Sequence, residues 1–391
     1  MNLFFKFFLS AFIGISLLSC DSNKDKLQME RQVKEVVIGE WDFVEEISKY
    51  DLLGGPELPL PNPRPGEFNS ISISKDSIEF YLGIYDFSVF SEKEKSKKSF
   101  YGTLTNYKMN YDTLVIHNLV RPNHAYKWKF ERCENDTLEF RLRDSTLVRY
   151  KRIYPINETL PTFDKVVVST TGCYGTCEVL NLLINTKGEL LFQGQYFVNP
   201  LGFYSGKLNS AITQNIFRKF EKANPLALKD YYTESISDQS STFVSLIKDD
   251  KIVKTIEDYS FRSPKEFIWA YLPLTSMYQL TSLNSLKKDV IPQLTYFEFK
   301  KGNKILNIKK SESFYLFSEL ENAVQTNVDF KPKYELLFHQ NETDLNKISN
   351  IKTDGRYFKY NFENSKVVIV DVGYNFIESN FKASDFVYDI R

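Results

Sequence analysis

Thr170-Thr171-Gly172-Cys173-Tyr174-Gly175-Thr176-Cys177 is the stretch around which this chain is organised. Two cysteines stand four apart, with a glycine between them and apolar runs on both sides. Four extended residues span about 13 Å, whereas a disulfide needs Cα atoms roughly 4.4–6.8 Å apart. Oxidation therefore requires a turn here, which Gly175 permits through positive φ. Val166-Val167-Val168 begins a strand on one side. On the other, Cys177–Asn185 is apolar on both faces, as a buried central strand is. Lys187-Gly188 turns the chain, and Leu190–Val198 pairs back. Three readings of the cysteines stay open: a structural disulfide, a thiol-redox or metal site, or unpaired thiols.

The rest of this module, 163–285, alternates helix and strand. Ser210–Ala223 carries Ile212, Ile216, Phe217 and Phe220 on one helical face. Thr242–Ile247 and Ile252–Ile256 flank Asp249-Asp250 as a hairpin. Ser263-Pro264-Lys265-Glu266 has the form of a capping box with proline at the first helical position. Pro273 kinks or ends that helix. Leu286–Gln293 is a boundary, and 293–391 reads as a small α+β module. A hairpin over Tyr296–Phe299 and Ile305–Ile308 precedes an amphipathic helix over Ser313–Val324. Strands follow at Tyr334–Phe338, Ile348–Lys352, Tyr357–Tyr360 and Val367–Val370.

On the N-terminal side, 36–156 reads as strand throughout. Trp41/Phe43, Ile71/Ile73, Ile78/Phe80/Leu82, Leu114/Ile116, Tyr126/Trp128/Phe130 and Leu138/Phe140/Leu142 alternate with polar residues, a period of two with one face wet. About eight short strands in roughly 115 residues predict a closed meander, because closure removes the edges. Gly54–Gly66, with Pro56, Pro59, Pro61, Pro63 and Pro65, is a stiff surface loop or a lid. Ser91–Ser99 alternates Glu and Lys as a solvated hairpin tip. Cys133 reads as a structural thiol, and Asn157–Thr162 as a linker.

Met1–Cys20 is a targeting segment. Lys6 is followed by the apolar run Phe7–Leu18, too short to span a bilayer and suited to a signal peptide over 1–19. Asp21–Gln32 is polar without apolar period, so 20–35 reads as a solvated tether. Lys+Arg and Asp+Glu are both 50, and this formal neutrality leaves no basic field to draw nucleic acid.

Three resemblances follow from these residues. Leu17-Leu18-Ser19-Cys20 resembles a bacterial lipobox, which implies that Cys20 is lipidated, with palmitate among its acyl chains, and fixes the protein to the cell envelope, at the outer membrane. Ile38-Gly39-Glu40-Trp41, followed by strands ending Val148-Arg149-Tyr150-Lys151-Arg152-Ile153, resembles a small bacterial lipocalin-like barrel of eight strands. That family plugs the closed end with the Trp of its Gly-x-Trp motif, here Gly39 and Trp41. An Arg of the last strand lies over the ring, here Arg149 or Arg152. Gly172-Cys173-Tyr174-Gly175-Thr176-Cys177, with Gly206-Lys207-Leu208 and Lys229-Asp230-Tyr231-Tyr232, resembles an uncharacterised bacterial domain signed G-C-[FY]-G-x-C-P-x-[FY]. Glu178 and Leu180 depart from its proline and aromatic. The fold expected is thus mainly β with α+β parts: a barrel, a central antiparallel sheet with two helices, and a small C-terminal module.

No H-E-x-x-H, G-x-S-x-G, P-loop or dinucleotide fingerprint occurs, and there are three histidines. The expectation is an envelope lipoprotein without catalytic residues, metal or cofactor. It binds a small hydrophobic ligand or another envelope protein, reaches the membrane through its lipid and takes no nucleic acid. Two alternatives stand beside it: thiol-redox or metal handling through Cys173 and Cys177, and a structural or assembly role.

Overall fold

A computed structural model describes residues 22–47, 70–86, 98–143, 146–154, 160–286, 295–339 and 347–389. Cys20, the proline-rich 54–66, most of Ser91–Ser99 and the boundary at 287–294 lie outside the described residues. Contacts divide the chain into two units. The first is Met1–Pro59, Ser72–Ile78 and Thr105–Ile153; the second is Leu60–Ile71, Glu79–Leu104 and Tyr154–Arg391.

The N-terminal elements are α1 (Ser22–Val37), β1 (Gly39–Ile47), β2 (Ile71–Ile73), β3 (Ser77–Phe80), β4 (Tyr85–Asp86), β5 (Ser99–Phe100), β6 (Leu104–Asn110), β7 (Thr113–Ile116), β8 (Tyr126–Glu134), β9 (Thr137–Arg143) and β10 (Thr146–Ile153). Eight of them close into the expected barrel, in the order β1-β10-β9-β8-β7-β6-β3-β2, while β4 and β5 pair apart. The alternating residues point inward: Trp41, Ile73, Ile78, Leu114, Ile116, Trp128, Leu138, Phe140, Val148 and Tyr150 are buried. At eight strands a barrel is just wide enough for side chains to fill. Here Trp128, Phe140 and Tyr150 pack with centroids 5.6–6.4 Å apart.

One expectation is corrected. The stretch read as a solvated tether is the helix α1. Its apolar stripe is sparse: Met29 is partly buried, and Val33 and Val37, at steps of four, are buried. A stripe that narrow is easily lost in a polar run. Within the first unit, Lys34 pairs with Asp76 at 3.0 Å, and Glu30 accepts from the Tyr111 N–H at 2.8 Å.

In the second unit a central sheet comprises β11 (Lys165–Thr170), β12 (Val179–Asn185), β13 (Glu189–Tyr196), β14 (Gly202–Lys207), β15 (Tyr231–Tyr232), β16 (Ser241–Lys248), β17 (Lys251–Tyr259) and β18 (Asn284–Ser285). Its order is β15-β17-β16-β11-β12-β13-β14-β18. Helices α2 (Ser210–Lys222) and α3 (Lys265–Leu274) cover one face, burying Val166, Val168, Leu182 and Ile184 with Phe220 and Phe267. Tyr85 and Phe100 join this core too, and Tyr81 lies 4.8 Å from Trp269. Glu79 accepts from Lys219 at 2.8 Å and from Thr103 at 3.0 Å. Burial would raise that carboxyl, but Lys219 and its hydrogen bonds hold it below the usual range.

A second sheet follows, with β19 (Thr295–Lys301), β20 (Lys304–Asn307), α4 (Lys310–Asn322), β21 (Val324–Thr326), β22 (Tyr334–His339), β23 (Ile348–Thr353), β24 (Tyr357–Phe362), β25 (Val367–Asp371), α5 (Phe376–Asn380) and β26 (Val387–Tyr388). It is eight-stranded, in the order β21-β25-β24-β23-β22-β19-β20-β26. Helix α4 shares one core with this sheet and with Val167, Leu183 and Ile247 on the other face of the central sheet. That explains why Val179–Asn185 is apolar on both faces.

Helix α3 starts differently from expectation. Its N-cap is Pro264 without a side-chain cap bond, instead of a Ser263 capping box. The buried Asp258 carboxylate takes the local donors: Arg262 N–H at 2.6 Å, Ser263 N–H at 3.1 Å and Tyr271 hydroxyl at 2.7 Å. A carboxylate accepts those N–H groups better than a hydroxyl does. Pro273 sits in the last turn, and the helix ends at Leu274.

Candidate functional site

Strands β11 and β12 are antiparallel neighbours, so the residues joining them form a hairpin loop at one end of the central sheet. Cys173 and Cys177 are disulfide-bonded across that loop, with Cα atoms 5.7 Å apart. Gly175 takes φ +154° at the turn. The loop's base is tied without the sulfurs. Thr170 Oγ1 donates to Glu178 O at 2.6 Å and accepts from Leu180 N–H at 3.1 Å. Thr171 N–H donates to Ser241 O at 2.9 Å, and Ser241 N–H returns to Thr171 Oγ1 at 2.8 Å. Lys98 reaches Glu178 at 3.5 Å. Closing so short a loop stabilises by about 2 kcal/mol in the chain-entropy treatment, so the bond shapes the tip more than it holds the unit. At that tip Tyr174 is 91% exposed.

The register brings other loops to the same end. Val179 pairs with Tyr196, Gly194 with Gly202, Thr170 with Thr242, and Ser241 with Tyr259. The connections 197–201, 233–240 and 260–264 therefore flank the disulfide loop. They carry exposed Phe197, Leu201, Ile236 and Phe261, with Tyr196 at the end of β13. Phe197 has φ 54° and Phe261 φ 57°, a left-handed backbone that bulky residues rarely adopt. Asp238, whose carbonyl accepts from Tyr174 N–H at 3.0 Å, has φ 67°. Such strain persists where surrounding structure imposes it and clusters at functional sites. The cysteine spacing marked the central loop from sequence; its aromatic companions appear only through strand register.

Beneath the loop, on the α4 face, lies a polar row. Ser169 is paired with Asn181, and Asn181 with Gln193, each buried on three successive strands. Asn181 Nδ2 donates to Gln193 Oε1 at 2.6 Å, while Ser169 Oγ and Asn181 Oδ1 have no partner among the described residues. Lys310, at the start of α4, donates to Thr170 O at 2.6 Å and Gln195 Oε1 at 2.7 Å. Burial lowers its amine to about 7. Sequence could not join Lys310 to this loop, since 140 residues separate it from Thr170.

In the barrel, Gly39, Trp41 and Arg152 stand together. The Arg152 guanidinium lies 4.1 Å over the Trp41 ring, and Trp41 Nε1 donates to Val37 O at 2.7 Å. Arg152 also donates to Val36 O at 3.0 Å, a cation on the carbonyl end of α1. Arg149 points elsewhere, to Glu139 at 2.8 Å and to Glu45. Tyr150 is fully buried among Phe43, Trp128 and Phe140, and its hydroxyl has no partner among the described residues. Partial burial raises the Cys133 thiol, against the opposing pull of Arg152. Among the described residues no three His, Cys, Asp or Glu side chains gather as a metal site.

Residues 164–278 match the sequence family described as a domain of unknown function (DUF6438). The match takes in the disulfide loop and helices α2 and α3. Comparisons with curated proteins and with solved structures found no match.

Proposed function

We propose that this chain is a lipid-anchored protein of the bacterial envelope that acts by binding a partner, with the loops around Tyr174 as its recognition surface. The observation that carries the reading is the tyrosine itself: 91% exposed on a covalently closed loop. A cross-linked loop has less backbone freedom to lose on binding, and tyrosine is among the residues that dominate recognition surfaces. Phe197 and Phe261, held in left-handed backbone at the same sheet end, extend the surface. The anchor rests on the Leu17-Leu18-Ser19-Cys20 pattern. Among the described residues no helix is long and apolar enough to cross a membrane.

Photo-crosslinking amino acids at positions 174, 197 and 261 test the recognition surface in the native host. Position 187, at the opposite end of the sheet, is the control. Discrete adducts from the first three and none from 187 are expected. The reading fails if all four behave alike. Labelled fatty acid should enter the wild-type chain and not Cys20→Ser.

A second reading rests on Tyr150. Its phenol has no partner among the described residues and is sealed by aromatic rings, so a small hydrophobic ligand carrying one polar group would reach it by parting Trp128 and Phe140. Native mass spectrometry of protein from the host should then show a bound molecule that Tyr150→Phe retains poorly. An empty barrel in both forms removes this reading.

A further inference from the structure

We propose that the Cys173–Cys177 bond is a local redox pin, whose reduction releases the Tyr174 tip while the second unit stays folded. The inference rests on the reading of that loop as a recognition surface. The geometry separates tip from base. Five hydrogen bonds, from Thr170, Thr171, Ser241, Leu180 and Lys310, hold the base whatever the state of the sulfurs. The tip has little else. Tyr174 N–H donates to Asp238 O and Gly175 N–H to Cys173 O, and the Tyr174 side chain packs on almost nothing. Tyr174, Gly175 and Thr176 are all exposed, and the cysteines that flank them are half-buried, neither sealed in the core.

The step balances as thiol–disulfide exchange. A dithiol protein attacks one sulfur through its thiolate, breaking the Cys173–Cys177 bond and forming a mixed disulfide. Its second thiol then resolves that bond. Two electrons and two protons reach Cys173 and Cys177, and the reductant leaves as a disulfide. Freed of the cross-link, five residues regain their backbone entropy, and Tyr174 must be ordered again each time it binds.

The test uses the full chain, oxidised, reduced with dithiothreitol, and as the Cys173→Ser/Cys177→Ser variant. Amide hydrogen exchange over 172–177 should rise about tenfold or more in the last two states, with β11 and β12 unchanged. The melting temperature should fall by no more than about 8 °C. Photo-adducts from position 174 should weaken on reduction, while those from 197 and 261 persist. The pin is wrong if the bond resists reduction in the folded chain, if reduction unfolds the unit, or if tip exchange stays fixed. It is equally wrong if the 174 adduct survives reduction unchanged. If no position yields adducts in any state, the recognition reading is lost instead, and the exchange data alone decide the pin.

Discussion

Gly39 shows how one residue fixes a barrel end. A Cβ placed there would lie 2.7 Å from Arg152 Nη1, at a backbone φ of +146°. Gly39→Ala should therefore push the guanidinium off Trp41 and lower the first unit's stability by about 1–3 kcal/mol, read by urea unfolding. A change below measurement error would show that the stacking is incidental. The Gly-x-Trp pattern was legible, but two arginines competed for the ring. Parity decides: Arg152 and Tyr150 share the inward face, whereas Arg149 faces outward. There Arg149 joins Glu139, which also takes Arg132 at 2.7 and 2.8 Å. The Arg132 bonds, above all, hold the Glu139 carboxyl below its ordinary range. With the folded pKa below the unfolded one, this stabilisation is present above about pH 4.3 and fades as pH falls through the folded value. Glu139→Gln should cost roughly 1–2 kcal/mol at pH 7. The gap from wild type should close toward pH 3. A gap independent of pH would mean packing, not charge, is what the substitution removes.

Helix α4 is buried more completely than its sequence pattern suggests. From sequence it reads as one-faced and begins at Ser313; it begins at Lys310 and buries residues nearly all round, from Ser311 to Ser318. The physical reason is the second sheet: an element between two layers has no wet side to give it a period. Its first turn is anchored by Ser311 Oγ, 2.7 Å from Ser245 Oγ, and by the Lys310 amine under the disulfide loop. Because burial lowers that amine to about 7, the unfolded chain binds more protons than the folded one between pH 7 and about 10. Stability of the second unit should accordingly rise with pH over that interval and level off below it. Wild type at pH 9 should be about 1–3 kcal/mol more stable than at pH 7, and Lys310→Met should flatten the difference. Urea midpoints at the two pH values read this directly; an equal slope in both proteins would clear Lys310 of the effect.

At the scale of the whole molecule, the barrel and the both-faced apolar strand β12 were legible because periodicity is local. What covers β12 was not, because the cover comes from another stretch of chain. Residues 163–285 and 293–391 read as separate modules, yet α4 and the second sheet bury Val167, Leu183, Phe203 and Ile247 of the central sheet in one shared core. Each such side chain left exposed forfeits roughly 1.5–3 kcal/mol. The segment matching the domain family ends at 278, before that cover begins. A fragment of residues 160–286 should therefore bind hydrophobic dyes, aggregate and lack a cooperative melt. Co-expression with residues 295–391 should restore a soluble complex with dispersed amide resonances. The fragment also lacks Tyr85 and Phe100 of the α2/α3 core, and replacing Val167 and Leu183, on the α4 face, by polar residues should improve its solubility while destabilising the intact chain. A fragment that melts cooperatively by itself, without binding dye, would show that the α2/α3 face suffices and that the second core is an accessory to it.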